Sequence, residues 1–120
     1  MQKMIVKKPW GTYEVLLDEP NYKVKRIVVH PYERFSLQYH KHREEHWVVV
    51  EGEGIVQVNE KEYPAYVRTH WVILPTQKHR ATAGPNGLVF IETQTGDCYE
   101  EDIVRLEDDY GRLDSDVVSV

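Results

Sequence analysis

Between Ser36 and Trp47 the chain reads Ser-Leu-Gln-Tyr-His-Lys-His-Arg-Glu-Glu-His-Trp, gathering three histidines, two glutamates and a glutamine just before the apolar run Val48, Val49 and Val50. Imidazole nitrogens, a carboxylate and an amide oxygen suit zinc, manganese, iron, cobalt or nickel. The segment therefore reads first as a metal site. Alternate residues of a strand project from one face, so Gln38 and His40 share a side. Only one of the neighbours Glu45 and His46 can join them if the strand is regular. A remote Pro75-Thr-Gln-Lys-His79 offers a further imidazole. A nitrogen-rich set of His40, His42, His46 and His79 thus competes with a mixed set that uses Glu45.

The elements that must position these groups are short and β-type. Candidate strands run over 12–17, 22–30, 34–40, 46–51, 54–58, 62–67, 71–74, 79–83 and 88–95, separated by turn residues such as Glu51-Gly-Glu-Gly54 and Gly84-Pro-Asn-Gly87. Their regular spacing predicts an antiparallel sandwich or small barrel. Alternation is clearest in Gly54-Ile-Val-Gln-Val58 and Lys23-Val-Lys-Arg-Ile-Val-Val-His30. Lys25 and Arg26 have opposite parity, so one faces solvent. Over 102–112, Ile103, Leu106 and Tyr110 recur at a helical period, which predicts a short C-terminal helix. The expected organisation is a single domain over 1–112 and a frayed tail over 113–120.

Composition narrows the partners. Residues 100–116 carry eight acids against Arg105 and Arg112, while the rest of the chain sums to about +1 within a formal net charge of -5. Such an acidic end argues against nucleic acid, whose phosphates need a basic surface. It leaves a body neutral enough for an anionic small molecule. The single cysteine, Cys98, cannot pair within the chain, and no apolar run approaches the length of a membrane span. A cytoplasmic location and no membrane partner are expected.

The histidine-rich segment resembles the first motif of the cupin superfamily: Gly, five residues, His-x-His, three or four residues, Glu, six residues, Gly. Counting back from Gly52 places Glu45 at the carboxylate, His40 at the second histidine, Gln38 in place of the first, and Tyr32 at the opening glycine. Pro75 to His79 resembles the second motif, one residue short and without its glycine. The resemblance implies an all-β double-stranded β-helix, or jelly-roll barrel, with a divalent ion held by Gln38, His40, Glu45 and His79. His42 falls outside that set.

A longer similarity is narrower. Pro9-Trp-Gly-Thr-Tyr-Glu14, Tyr22-Lys-Val-Lys-Arg-Ile-Val-Val29, the segment from Ser36 to Val50, and Glu101-Asp-Ile-Val-Arg-Leu-Glu-Asp-Asp-Tyr-Gly-Arg112 resemble the C-terminal domain of type II mannose-6-phosphate isomerases. That domain is commonly fused behind a mannose-1-phosphate guanylyltransferase domain; here a module standing alone is expected. The resemblance implies interconversion of mannose 6-phosphate and fructose 6-phosphate through an enediol. Such chemistry needs a cation on the C1 or C2 oxygen, a base between C1 and C2, and a cationic grip on phosphate.

Candidates exist for each demand. His42 and His46 are the expected proton carriers, with Arg43, part of the matched motif, beside them. Arginine grips phosphate in bidentate fashion, and Arg34, Arg43 and Arg80 are the expected contacts. Arg34 is in phase with Gln38 and His40, whereas Arg80 reaches that face only if the shortened turn alters its strand. Trp47 shares parity with Glu45 and is the expected sugar-stacking ring, with Trp10, Tyr13 and Trp71 as further candidates. A homodimer that covers exposed sheet edges is expected. Two other functions stay open: a non-catalytic sugar-binding or regulatory cupin, and a cupin isomerase of nucleotide-linked sugars.

Overall fold

The computed structural model describes residues 4–113. Nine strands follow in order: β1 (Met4–Lys8), β2 (Gly11–Glu19), β3 (Tyr22–Val29), β4 (Leu37–Tyr39), β5 (Arg43–Val58), β6 (Lys61–Tyr66), β7 (His70–Ile73), β8 (His79–Gly96) and β9 (Val104–Glu107). They form one antiparallel sheet with the path β1-β2-β3-β8-β4-β9, and β5 joins β6, β7 and β8. The long strands β5 and β8 pair from Arg43 opposite Gly96 to Val58 opposite His79. That ladder carries the sheet around a dry interior.

Two runs that read as turns in the sequence lie inside these long strands. Glu51 to Gly54 forms irregular steps in the β5–β8 register. Gly52 has φ +80°, and a Cβ there would lie 2.0 Å from the Gly87 carbonyl oxygen. Glycine is required because the backbones approach so closely and because the left-handed region is costly for other residues. The strand bends instead of ending, so β5 serves both the site and the far rim.

Inward residues of β5 are Arg43, Glu45, Trp47 and Val49, while His46, Val48 and Val50 face outward. The core behind them contains Ile27, Val29, Val56, Ile73, Leu88 and a run of aromatic rings. Phe35 lies 5.4 Å from Trp10 and 5.8 Å from Trp47, whose ring lies 4.6 Å from Phe90. Offset and edge-on rings of this kind fill volume and restrict rotation.

The C-terminal helix expected over 102–112 is corrected by the structure. Val104–Glu107 is strand β9, with Gln38 opposite Arg105 and Tyr39 opposite Val104. Pairing with the free edge of β4 outweighs a local helical period, because an open edge leaves backbone donors and acceptors unsatisfied. The expected strand over 34–40 also shortens to β4, and Arg34 makes only an isolated bridge to Thr82. Strand β1 is an addition to the sequence reading. The tail expected to fray lies, from residue 114, outside the described residues. Among the described residues no helix is long and apolar enough to cross a membrane.

Candidate metal centre

Three strands bring the chemistry together. Glu45 points inward from β5, His79 opens β8, and Gln38 on β4 stands opposite His79 in register. His40 follows directly after β4. His40, Glu45 and His79 are buried, and their donor atoms lie within 4.8 Å of one another.

Both imidazoles are oriented by carbonyls. His40 Nδ1–H donates to the Asp102 carbonyl oxygen in a very short hydrogen bond, and His79 Nδ1–H donates to Gln77 O at 2.8 Å. A carbonyl can only accept, so each ring presents a bare Nε2 to the interior. His40 Nε2 lies 3.2 Å from Glu45 Oε2, and His79 Nε2 lies 3.7 Å from Glu45 Oε1. Among the described residues His79 Nε2 has no hydrogen-bond partner despite full burial. An orphaned buried acceptor is rare in proteins and asks for an explanation. Carbonyl-held imidazoles and a carboxylate at this spacing fit a cation with bonds of about 2.1 Å.

Arg43 is the competitor already in place. Its Nε donates to Glu45 Oε2 at 2.8 Å, its Nη2 to His40 Nε2 at 3.1 Å, and its Nη1 to Tyr99 O at 3.1 Å. Trp47 Nε1 donates to Glu45 Oε1 at 3.0 Å and to Glu92 Oε1 at 3.1 Å, and Gln94 Nε2 donates to Glu92 Oε2 at 2.7 Å. Two buried carboxyls thus share one indole.

Burial dominates the protonation states. It pushes His40 down to about 4, helped by the charges of Arg43 and His79 and opposed by Glu45, and it pushes His79 down as well. Both rings are neutral at pH 7, the state in which imidazole binds metal. Burial pushes Glu45 up, but His79, His40 and Arg43 together hold it well below the ordinary carboxylate range. With both imidazoles neutral, Arg43 is the cation that keeps Glu45 ionised. Burial and then the Glu45 charge push Glu92 up to about 8.

A pH dependence of stability follows for chelator-treated protein. The folded pKa of His40 lies below its unfolded value, so its contribution is present above about 6.5 and is lost as pH falls through about 4. The complete loss for His40 is on the order of 3 kcal/mol, and His79 acts in the same direction. Glu92 acts in the opposite direction: its folded pKa of about 8 lies above the unfolded value, so its contribution grows as pH falls over the same interval. The imidazole effect is therefore read in Glu92→Gln protein, where urea unfolding at pH 7, 6 and 5 is expected to show a steady fall. A flat profile in that variant contradicts buried neutral imidazoles.

A cavity of about 140 Å³ adjoins the cluster. Gln38, His40, Arg43 and Glu92 line it together with Trp10, Tyr13 and Phe35; Lys8, Lys25, Glu100, Arg105 and Arg112 complete its charged lining. Glu45 and His79, each 1% exposed, sit behind His40 and Arg43. Gln38 Oε1 lies 3.5 Å from Ser36 Oγ.

Several residues expected at the site lie elsewhere. His42 is exposed in the turn after β4, 3.5 Å from the Asp102 carboxylate. His46 faces outward and donates to Glu44 at 2.8 Å, as the parity of a regular strand demands once Glu45 faces in. Arg34 has left the phase of Gln38 because the strand breaks, and it grips Asp109 at 2.7 and 2.9 Å. Arg80 has parity opposite to His79 and donates to Phe35 O and Glu107. Trp47 is a core ring that holds carboxyls and packs edge-on against His79, 5.5 Å between centroids. Trp71 packs near Tyr63, away from the cavity. Of the expected catalytic and substrate-binding residues, Arg43 lines the cavity, and so do Trp10 and Tyr13 among the expected rings.

Glu92 and Lys8 were missed, and the parity of Lys25 and Arg26 left open which of them turns in. The signal for Glu92 is its inward parity with Phe90 and Gln94, directly after the apolar run Leu88 to Ile91. Lys25 shares parity with Ile27 and Val29; it turns in and Arg26 turns out.

A curled antiparallel sheet that encloses a His–Glu–His cluster beside an open cavity is a cupin. The family model for the C-terminal domain of mannose-6-phosphate isomerase matches residues 1–108, and the chain belongs to that family. It is 37% identical over 108 residues to a mannose-1-phosphate guanylyltransferase of Klebsiella pneumoniae, covering 88% of this chain and 23% of the relative. It is 41% identical over 109 residues to the alginate biosynthesis protein AlgA of Pseudomonas aeruginosa, covering 89% and 23%. The chain therefore spans about a quarter of the length of these relatives. Among solved structures, an RmlC-like cupin from Shewanella frigidimarina superposes with TM-score 0.75 at 22% identity, covering 83% of this chain and 88% of the other. Streptomyces Pac13 with uridine gives TM-score 0.77 at 17% identity, covering 88% and 86%. These likenesses establish the fold.

Proposed function

We propose that this domain is a metal-dependent aldose–ketose isomerase of a sugar phosphate, with mannose 6-phosphate and fructose 6-phosphate as the pair. The observation that carries the reading is the buried His40–Glu45–His79 cluster, with its orphaned Nε2, beside a cavity lined by cations. Membership of the isomerase family supports it, as do relatives named for mannose 1-phosphate, alginate and xanthan chemistry.

Gln38, His40, Glu45 and His79 would hold the ion, and zinc, manganese, cobalt, nickel and iron all accept such donors. When bound, a divalent ion supplies a Lewis acid that polarises the C1 or C2 oxygen. Arg43 yields its bonds to Glu45 and His40 when the cluster takes the ion, and its guanidinium stays at the cavity surface to meet anionic oxygen. Glu92 is the acid placed to move the proton. In its ionised form, which gains population as pH rises toward about 8, it takes a proton from C2 of the aldose and returns it to C1 of the enediol, while a hydroxyl proton passes from O2 to O1, giving the ketose. Trp10, Tyr13 and Phe35 exclude water and face the carbon skeleton.

One observation favours a second reading, a sugar-binding cupin without turnover: Arg43 already satisfies both Glu45 and His40. Incubation of purified protein with mannose 6-phosphate separates the two. Chelator-sensitive formation of fructose 6-phosphate, restored by added metal, is the expected result. Binding of the sugar phosphate without turnover under any metal overturns the isomerase in favour of the binding module.

A further inference from the structure

We infer that Lys8, Arg105 and Arg112 form an anion-binding end of the cavity that takes the phosphate of the substrate. The inference deepens the isomerase reading and rests on it for the identity of the sugar, but not for the anion itself.

The three side chains come from the end of β1, from β9 and from the segment after β9, and they converge on one cavity. Local sequence does not bring them together; the sheet does. Gln38 stands opposite His79 on one side and opposite Arg105 on the other, so His79, Gln38 and Arg105 form a transverse row across β8, β4 and β9. Adjacent strands lie roughly 4.8 Å apart, which sets Arg105 roughly 10 Å from His79 at the backbone. That is the scale of a molecule whose reacting carbon and phosphate sit at opposite ends of a six-carbon chain.

Converging cations repel. Burial lowers the pKa of Lys8, and the charges of Arg105, Arg112 and Lys25 lower it further against the pull of Glu100. Glu100 itself is engaged by Lys25 at 2.7 Å and Lys23 at 3.2 Å. Arg112 commits Nε and Nη2 to Asp108, each at 3.0 Å, an arrangement that holds the guanidinium at the cavity. Glu100, which lines the same cavity, is held by Lys25 and Lys23, and three cations facing one end of the cavity focus their field on an anionic ligand there; a fork of arginine donors matches phosphate oxygens.

Arg34→Gln lies outside the cavity, on the Asp109 pair, and serves as the control; Arg112 is left intact because it ties the C-terminal segment to Asp108. Inorganic phosphate is titrated into chelator-treated protein by calorimetry, and mannose 6-phosphate kinetics are measured with metal restored. Lys8→Met and Arg105→Gln are each expected to weaken phosphate binding about tenfold or more and to raise KM with little change in kcat. Metal stoichiometry and thermal midpoint should stay near those of Arg34→Gln. Phosphate affinity and KM that do not move in either variant, or no phosphate binding at millimolar concentration, overturn the inference while an active isomerase survives. Loss of phosphate binding in both variants, in a protein that turns over no sugar phosphate, supports the anion end and removes the isomerase.

Discussion

His79→Ala protein is expected to carry no stoichiometric divalent ion and to lose isomerase activity by more than about a hundredfold, since even residues that only support metal ligands cost about 10- to 100-fold when removed. The side chain is the sharpest pointer to metal in the molecule. Its Nδ1 is committed to Gln77 O, its Nε2 is buried without a partner among the described residues, and Trp47 packs edge-on to fix the ring. An imidazole with only a packing role would have both nitrogens satisfied. Metal content by mass spectrometry after dialysis is the direct measurement, with circular dichroism to confirm folding. A folded His79→Ala protein that still holds one equivalent of metal would falsify the placement of the centre. Gln38→Ala is the graded comparison: an amide oxygen on β4 is a weaker donor than imidazole, and a smaller loss is expected.

The site was legible where chemistry is compressed into a short run. From Gln38 to Glu45 the residue types and the two-residue period of a strand carry the information, and His79 is marked by the proline before it. The structure brings His40, Glu45 and His79 together from three places in the chain. The cationic end of the cavity was not legible. Lys8, Arg105 and Arg112 are ordinary charged residues near the ends of the described chain, and only the pairing of β9 with β4 sets Arg105 beside Gln38. The same pairing explains the missed strand. Ile103, Leu106 and Tyr110 obey a helical spacing, but the open edge of β4 decides, and nothing within the segment announces that edge. Gly52 misled in another way: glycine flanked by acids reads as a turn, whereas here it permits a bulge where two long strands touch.

The second large effect concerns Glu45 as a structural charge. In the metal-free protein the carboxylate accepts from Arg43 and Trp47 and lies beside both imidazoles, with 1% of its surface exposed. Removing it leaves Arg43 buried with a full charge and only His40 and Tyr99 O as acceptors. Breaking a buried pair from one side costs about 3–5 kcal/mol, whereas replacing both partners with apolar groups of similar size is often neutral. Glu45→Met in chelator-treated protein is therefore expected to lose about that amount in urea unfolding at pH 7. Arg43→Met with Glu45→Met should recover most of it. Coupling in the double variant separates an ion pair from the loss of packing, because packing losses at two sites would add. If the double variant is as unstable as the sum of its parts, Arg43 and Glu45 do not act as a pair. The Arg43 guanidinium would then lie elsewhere in solution, and the cluster would be open to a cation without competition. The expected recovery instead means that the protein folds around an internal arginine and that a metal ion must displace it. Affinity for the ion should then rise in Arg43→Met protein, in which His40 Nε2 and Glu45 Oε2 have no guanidinium to release.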